Sequence, residues 1–148
     1  MKTKKGTFTL EMSTFIKASA ETIYAILSSK EGLEEFMECE VESELKVGAA
    51  IKFTWPFDCN GGEGTSISGG EIQSMIPNTL ISFTWGDASI ERNFPWGSSL
   101  VEFKITPEND GCRVAIHHYD LPSEFEINDH EGGWKHFLGA AAAKWETK

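Results

Sequence analysis

The last segment of the chain repeats its apolar residues at the spacing of a helix, in which positions three or four apart share a face. These residues are Trp134, Leu138, Ala141 and Trp145. Asn128 and Glu131 have the spacing of a capping box, so the helix is predicted to begin at Asn128 and residues 120–127 to form a loop. We expect the helix to lie across the structure that precedes it, because its apolar face must be buried.

The rest of the chain alternates apolar and polar residues with a period of two, as strands do. A first strand is predicted over residues 7–16. Two short helices follow, one capped by Ser19 and a second over residues 30–37. Beyond them, Gly, Pro, Asn and Asp separate short alternating runs, which predicts an antiparallel meander. Its strands are predicted at 40–46, 50–57, 65–76, 79–86, 97–106 and 112–119.

One face of this sheet carries large side chains in phase, and the opposite positions are polar. The candidate ligand-binding residues come from that face and from the last helix: Phe53, Trp55, Phe83, Trp85, Phe103, His118, Trp134, Leu138 and Ala141. They could fill a solid core or line a cavity. The small Ala141 stands where a packed core would prefer Leu, which favours a cavity under the helix.

Three glycines, Gly132, Gly133 and Gly139, fall inside the last helix. Each costs about 1 kcal/mol relative to Ala, so a compensating role is expected. Close approach of the helix to the sheet is one explanation, and a ligand passing over the helix surface is the other. We favour the close approach.

Composition restricts the function further. At 148 residues the chain is expected to be a single domain, 1–148, with a substantial core. The net charge of -10 disfavours nucleic acid and anionic membrane surfaces as partners. The three cysteines are irregularly spaced, and no apolar signal segment follows the N-terminal lysines. A cytoplasmic location is therefore expected.

The histidines do not have metal-site spacing. His117 and His118 are neighbours on a strand and face opposite sides, and His130 and His136 lie about 120° apart on a helix. No metal and no other cofactor is predicted. His118 alone has an inward phase, and the other three are assigned to surface or capping positions.

Glu71 is the remaining candidate for chemistry, on a strand of ambiguous phase. If Glu71 and Gln73 point inward, they could orient a ligand or supply a base. If Ile72 and Ile76 point inward instead, Glu71 faces solvent, and we favour this arrangement. No nucleophile with its base and no phosphate-binding loop is visible, so no catalytic residue is assigned.

Several short motifs resemble the START-like superfamily, also called SRPBCC or helix-grip. The branch they resemble is the one typified by the activator of the ninety-kilodalton heat-shock protein ATPase. The motifs are the entry into the first helix (16–27), Gly69-Gly70-Glu71-Ile72, Leu80 to Trp85, Ser99 to Phe103, Gly111 to Val114 and Gly133-Trp134. Together they cover nearly the whole chain.

The resemblance implies an α+β helix-grip fold. In it, a curved antiparallel sheet of about seven strands wraps around a long C-terminal helix, with two short helices after the first strand. The superfamily includes ligand carriers, cyclases, stress-response proteins and co-chaperone domains, so the fold alone does not assign the function.

Three functions are considered. We favour non-catalytic binding of a small hydrophobic or amphipathic molecule between sheet and helix. A protein-interaction or stress-response co-chaperone-like module is the alternative, although the extra partner-binding domain of eukaryotic co-chaperones is not expected here. The third is a cyclase- or hydrolase-type enzyme using His118 or Glu71. A monomer or homodimer is expected.

Overall fold

A computed structural model of the chain describes residues 8–56, 66–88 and 94–146. Within these ranges, seven strands and three helices follow one another. They are β1 (Phe8–Ile16), α1 (Ala20–Leu27), α2 (Lys30–Met37), β2 (Glu40–Ser43), β3 (Ala50–Trp55), β4 (Ser66–Ile76), β5 (Leu80–Trp85), β6 (Ser99–Glu108), β7 (Gly111–Leu121) and α3 (Glu124–Trp145). The predicted end of the third strand at Phe57 lies outside the described residues.

The strands form one antiparallel sheet in the order β1-β7-β6-β5-β4-β3-β2. Strands consecutive in sequence pair from β2 to β7, and β1 completes the sheet beside β7. Helix α3 lies against β1, β7 and α2. The predicted α+β architecture is therefore confirmed: a curved sheet, two short helices after the first strand and a long C-terminal helix.

The inward face of the sheet is the predicted one. Phe53, Phe83 and Phe103 are fully buried, and their rings join in one cluster, with Phe83 5.3 Å from Phe53 and 5.5 Å from Phe103 between ring centroids. Phe36 of α2 contacts Phe103 edge to face and Trp145 of α3 at 5.2 Å. Aromatic contacts thus connect the sheet to both helices.

Strand β4 changes phase at a bulge between Ile72 and Ser74. Ile72 is buried and Glu71 is exposed, as predicted, but Ile76 is 50% exposed and Met75 packs against the core instead. The prediction for Ile76 was wrong because a bulge adds one residue and moves the following side chains to the other face. Glu71 points away from the space beneath α3.

Helix α3 begins four residues earlier than predicted, and the predicted loop over 120–127 is reduced to residues 122–123. Strand β7 continues to Leu121, and the Oγ of Ser123 caps the helix by accepting a hydrogen bond from the N–H of Glu126. Ser123 and Glu126 have the Ser-x-x-Glu spacing of a capping box, which outcompetes the Asn128 signal. None of the helices in the described ranges is long and apolar enough to span a membrane.

The predicted apolar face of α3 is confirmed, because Trp134, Leu138, Ala141 and Trp145 are all buried. The favoured explanation for the three glycines is wrong. A Cβ added at Gly132, Gly133 or Gly139 would have no atom within 4 Å, so no close backbone contact requires them. Of the three, Gly133 borders a pocket.

Candidate functional site

A pocket of about 260 Å³ lies between the middle of α3, the end of α2 and strands β3 to β5. Its described lining residues are Met37, Glu38, Trp55, Ser66, Ser68, Trp85, Asp87, Asp129, His130, Gly133, Trp134, His136 and Phe137. Glu38 and His136 are exposed, so the pocket reaches the surface between α2 and α3.

Four aromatic rings form a continuous wall of this pocket. Trp55 lies 6.3 Å from Trp85, Trp85 lies 5.7 Å from Trp134, and Trp134 lies 6.0 Å from Phe137, each measured between ring centroids. The three tryptophans are at most 5% exposed. Sheet and helix both contribute to the wall, so it exists only when α3 is docked.

Each indole N–H of this wall donates to another group of the protein. Trp55 Nε1 donates to the carbonyl of Met37 at 2.8 Å, and Trp85 Nε1 donates to Nε2 of His130 at 3.1 Å. Trp134 Nε1 donates to Nδ1 of His118 at 3.1 Å. The tryptophans therefore present hydrocarbon surface and ring faces to the pocket.

His118 lies behind Trp134 and is fully buried. Its Nδ1 accepts from Trp134, so the ring proton is on Nε2, which donates to Ser99 Oγ at 3.1 Å. The Ser99 hydroxyl donates in turn to the carbonyl of Trp85 at 3.0 Å. This chain of hydrogen bonds links α3 to β7, β6 and β5 and satisfies every polar atom in it.

Burial lowers the pKa of His118 well below its usual 6.5, and the neighbouring His130 lowers it further. The ring is neutral at physiological pH, which agrees with its hydrogen bonds. A proton on Nδ1 would place two donors, His118 and Trp134, face to face.

His130 is held in the opposite tautomer. Its Nε2 accepts from Trp85, so Nδ1 carries the proton and donates to the carbonyl of Glu126 one turn earlier, at 2.8 Å. The rings of His118 and His130 are perpendicular, with centroids 5.0 Å apart. Assigning His130 to a surface or capping role was wrong, because this face of α3 turns toward β5.

Glu126, Asp129 and His130 place possible ligand atoms within 4.8 Å of one another. Both ring nitrogens of His130 are already engaged, so a cation bound there would have to displace one of these hydrogen bonds.

The two acid–base candidates from the sequence, His118 and Glu71, are not available in the pocket. His118 is bonded at both nitrogens and does not border the pocket, and Glu71 is exposed on β4.

The polar lining residues divide by depth. Ser66, Ser68 and Asp87 are buried, whereas Glu38 and His136 lie at the mouth, where His136 Nε2 is 2.8 Å from Glu38 Oε2. Glu38 is the left-handed C-cap residue of α2 and His136 is on α3. This contact therefore joins the two helices across the mouth.

The sequence-predicted site residues fall into two groups. Trp55, Trp85 and Trp134 border the pocket, and His118 stands behind them. The others pack in the core away from its lining: Phe53, Phe83, Phe103, Leu138 and Ala141. Sequence reasoning missed His130 and Phe137, which lie four residues before and three after Trp134, a helical spacing that places all three on one face.

The fold and the pocket beneath α3 define a helix-grip domain of the START-like superfamily. The chain belongs to the family described as Activator of Hsp90 ATPase homolog 1-like protein, whose model matches residues 17–142. The resemblance inferred from the sequence motifs is thereby confirmed. Among curated proteins, none matches the chain significantly.

Solved structures share the fold at low identity. A protein from Chromobacterium violaceum is 18% identical, with a TM-score of 0.77 over 93% of this chain and 97% of that one. The Aha1 dimer from Colwellia psychrerythraea is 22% identical, with a TM-score of 0.73 over 94% and 96%. An HSP90 activator from Plasmodium falciparum is 15% identical, with a TM-score of 0.68 over 90% and 92%.

Proposed function

We propose that this protein binds a small hydrophobic or amphipathic molecule in the pocket between the sheet and α3, without transforming it. The observation that carries the proposal is the aromatic wall of Trp55, Trp85, Trp134 and Phe137. Its indole N–H groups are satisfied within the protein, so an apolar guest leaves no donor unpaired. At about 260 Å³ the pocket is slightly below the roughly 300–1,000 Å³ of drug-sized sites. The guest is therefore small.

The glycine that borders the pocket supports the same function. Gly133 is flanked by open space where a side chain would otherwise project. Passage of a ligand over the helix surface, the second explanation considered from the sequence, agrees with this position. Gly132 and Gly139 do not border the pocket and have no corresponding explanation.

A non-catalytic role is favoured by the hydrogen bonds of the two inner histidines. A general acid or base must be able to exchange a proton with a substrate. His118 and His130 each have one nitrogen accepting from an indole and the other donating to an oxygen. Proton exchange at either ring would break one of these hydrogen bonds.

Calorimetric titration with 1-naphthylmethanol, an uncharged aromatic probe, tests the proposal. Phe137→Ala removes the half-buried end of the wall and should weaken binding about tenfold or more. Phe15→Ala is the matched control, since Phe15 is half-buried on β1 and does not border the pocket. Equal affinity of wild type and Phe137→Ala for the probe would contradict the proposal.

Native mass spectrometry of protein purified from its own source provides a second test. A bound small molecule lost from Phe137→Ala but kept by Phe15→Ala would identify the natural ligand. This experiment does not depend on the choice of probe.

Partner binding is the second candidate, because one structural neighbour is described as an HSP90 activator and another as a dimer. Trp96 and Phe125 are large apolar residues that remain 40% and 56% exposed. Analytical ultracentrifugation of the protein alone and with a purified heat-shock protein of the ninety-kilodalton class tests this function. Sedimentation as a monomer in both samples would exclude it under those conditions.

A further inference from the structure

The charges around the pocket carry an inference about the ligand that rests on the proposed function. Glu38, Asp87 and Asp129 are carboxylates, and no Lys or Arg occurs among the lining residues that the structure describes. His136, at the mouth, already contacts Glu38. The charges of the described lining residues and the net charge of -10 on the whole chain therefore both favour a cation.

The aromatic wall favours the same charge. Ring faces carry negative partial charge and attract a cation within about 6 Å of the ring centroid, Trp most strongly. The indole rings of Trp55, Trp85 and Trp134 lie side by side in the wall, and each indole N–H donates to an acceptor of the protein. The pocket therefore offers π faces and carboxylates, and no indole donor that would stabilise an anion.

The carboxylates of the lining and the aromatic wall are adjacent in the fold. Asp87 follows β5 two residues after Trp85, and its backbone pairs with Ser68 of β4. Asp129 precedes His130 on α3, five residues before Trp134. The carboxylate of Asp129 lies 3.8 Å from Nδ1 of His130, and both aspartates take part in further interactions within the protein. We propose that the pocket selects small amines: molecules with an aromatic or aliphatic body and one protonated nitrogen placed near Asp87 and Asp129.

Three probes that share the naphthalene body separate this inference from the proposed function: 1-naphthylmethylamine (cation), 1-naphthylmethanol (neutral) and 1-naphthylacetate (anion). We expect the amine to bind about tenfold more tightly than the alcohol, and the acetate to bind most weakly. Added salt should weaken binding of the amine and leave the affinity for the alcohol unchanged, because salt screens only the charged probe.

Two charge-neutralising variants locate the effect. Asp129→Asn should reduce the preference for the amine over the alcohol by about threefold. Glu131→Gln is the matched control, since it removes the same charge from an exposed position of α3 outside the pocket lining and should leave the preference unchanged. Glu38→Gln at the mouth provides a second variant if Asp129→Asn unfolds, as judged by circular dichroism.

The outcomes are distinguishable. Equal affinities for amine and alcohol, or a tighter acetate, would overturn the amine preference and leave the proposed apolar pocket standing. A preference reduced equally by Asp129→Asn and Glu131→Gln would also overturn it, because overall charge would then be the cause. Failure of all three probes to bind would count against the pocket itself.

Discussion

The indole N–H of Trp134 donates to Nδ1 of His118 across 3.1 Å, joining the C-terminal helix to the seventh strand. The bond is buried, and it fixes the tautomer of a neutral histidine whose other nitrogen bonds to Ser99. Because His118 and Trp134 satisfy each other, the pocket beside them has an apolar wall. The docking of α3 should therefore be weakened by substitution of Trp134 and by protonation of His118 at low pH.

Replacing Trp134 with Phe should destabilise the protein by more than the loss of packing alone. The phenyl ring cannot donate, so Nδ1 of His118 would be left buried without a partner, at a cost of about 1–3 kcal/mol. Trp145→Phe is the matched control. It removes an indole from the same helix face, and Trp145 Nε1 has no partner among the described groups. Urea unfolding of both variants measures the difference, and equal losses would contradict this role of the bond.

His118 should make stability fall in mild acid. Its pKa is well below 6.5 in the folded protein, so the unfolded chain takes up the proton first as the pH falls. The contribution of His118 to the free energy of unfolding is fully present above about pH 6.5. Below that pH it falls by up to about 1.4 kcal/mol per pH unit, until the pH reaches the pKa of His118 in the folded protein. The measurement is the free energy of unfolding against pH.

His118→Asn should remove this slope, and His117→Asn, on the opposite face of the same strand, should keep it. Hydrogen bonds from Lys30 and Arg113 lower the pKa values of the Glu34 and Glu108 carboxylates. Protonation of these two groups therefore reduces the free energy of unfolding in a lower range, below pH 4.5. A wild-type slope that survives His118→Asn would assign the effect to another group.

Glycine-to-alanine substitutions in α3 should separate stability from binding. Gly132→Ala and Gly139→Ala should each stabilise the protein by about 0.5–1 kcal/mol, since the added methyl group meets no neighbour and Ala favours the helix. Gly133→Ala should give a similar gain in thermal unfolding but weaken binding of 1-naphthylmethanol, because its methyl group enters the pocket. Gly70→Ala, where Thr84 occupies the space, should destabilise and serves as the control.

The start of α3 can be checked by removing each candidate cap. Ser123→Ala should cost about 1 kcal/mol, since the N–H of Glu126 loses its acceptor. Asn128→Ala, in the first half of the helix as the structure has it, should be neutral or slightly stabilising. If Asn128→Ala instead loses more stability in chemical denaturation than Ser123→Ala does, the helix begins at Asn128 as the sequence predicted.

Particular residues show how much the sequence could predict. Phe53, Phe83 and Phe103 were assigned to the inward face because alternation is a local property of a strand, and they are fully buried. Ile76 was misassigned because the bulge at Ile72 follows from pairing with β5, which alternation does not reveal. His130 was misassigned because its role depends on a tryptophan 45 residues away.

The sequence by itself determined the order of elements, the antiparallel sheet, the apolar face of α3 and the membership of the superfamily. These follow from periodicity, turn residues and short motifs, which act over a few residues. Only the tertiary structure decided which aromatic residues line the pocket, which histidines are bonded at both nitrogens and that the helix glycines have no close neighbour. Those features depend on the angle and depth at which α3 meets the sheet, and packing across the whole domain sets both.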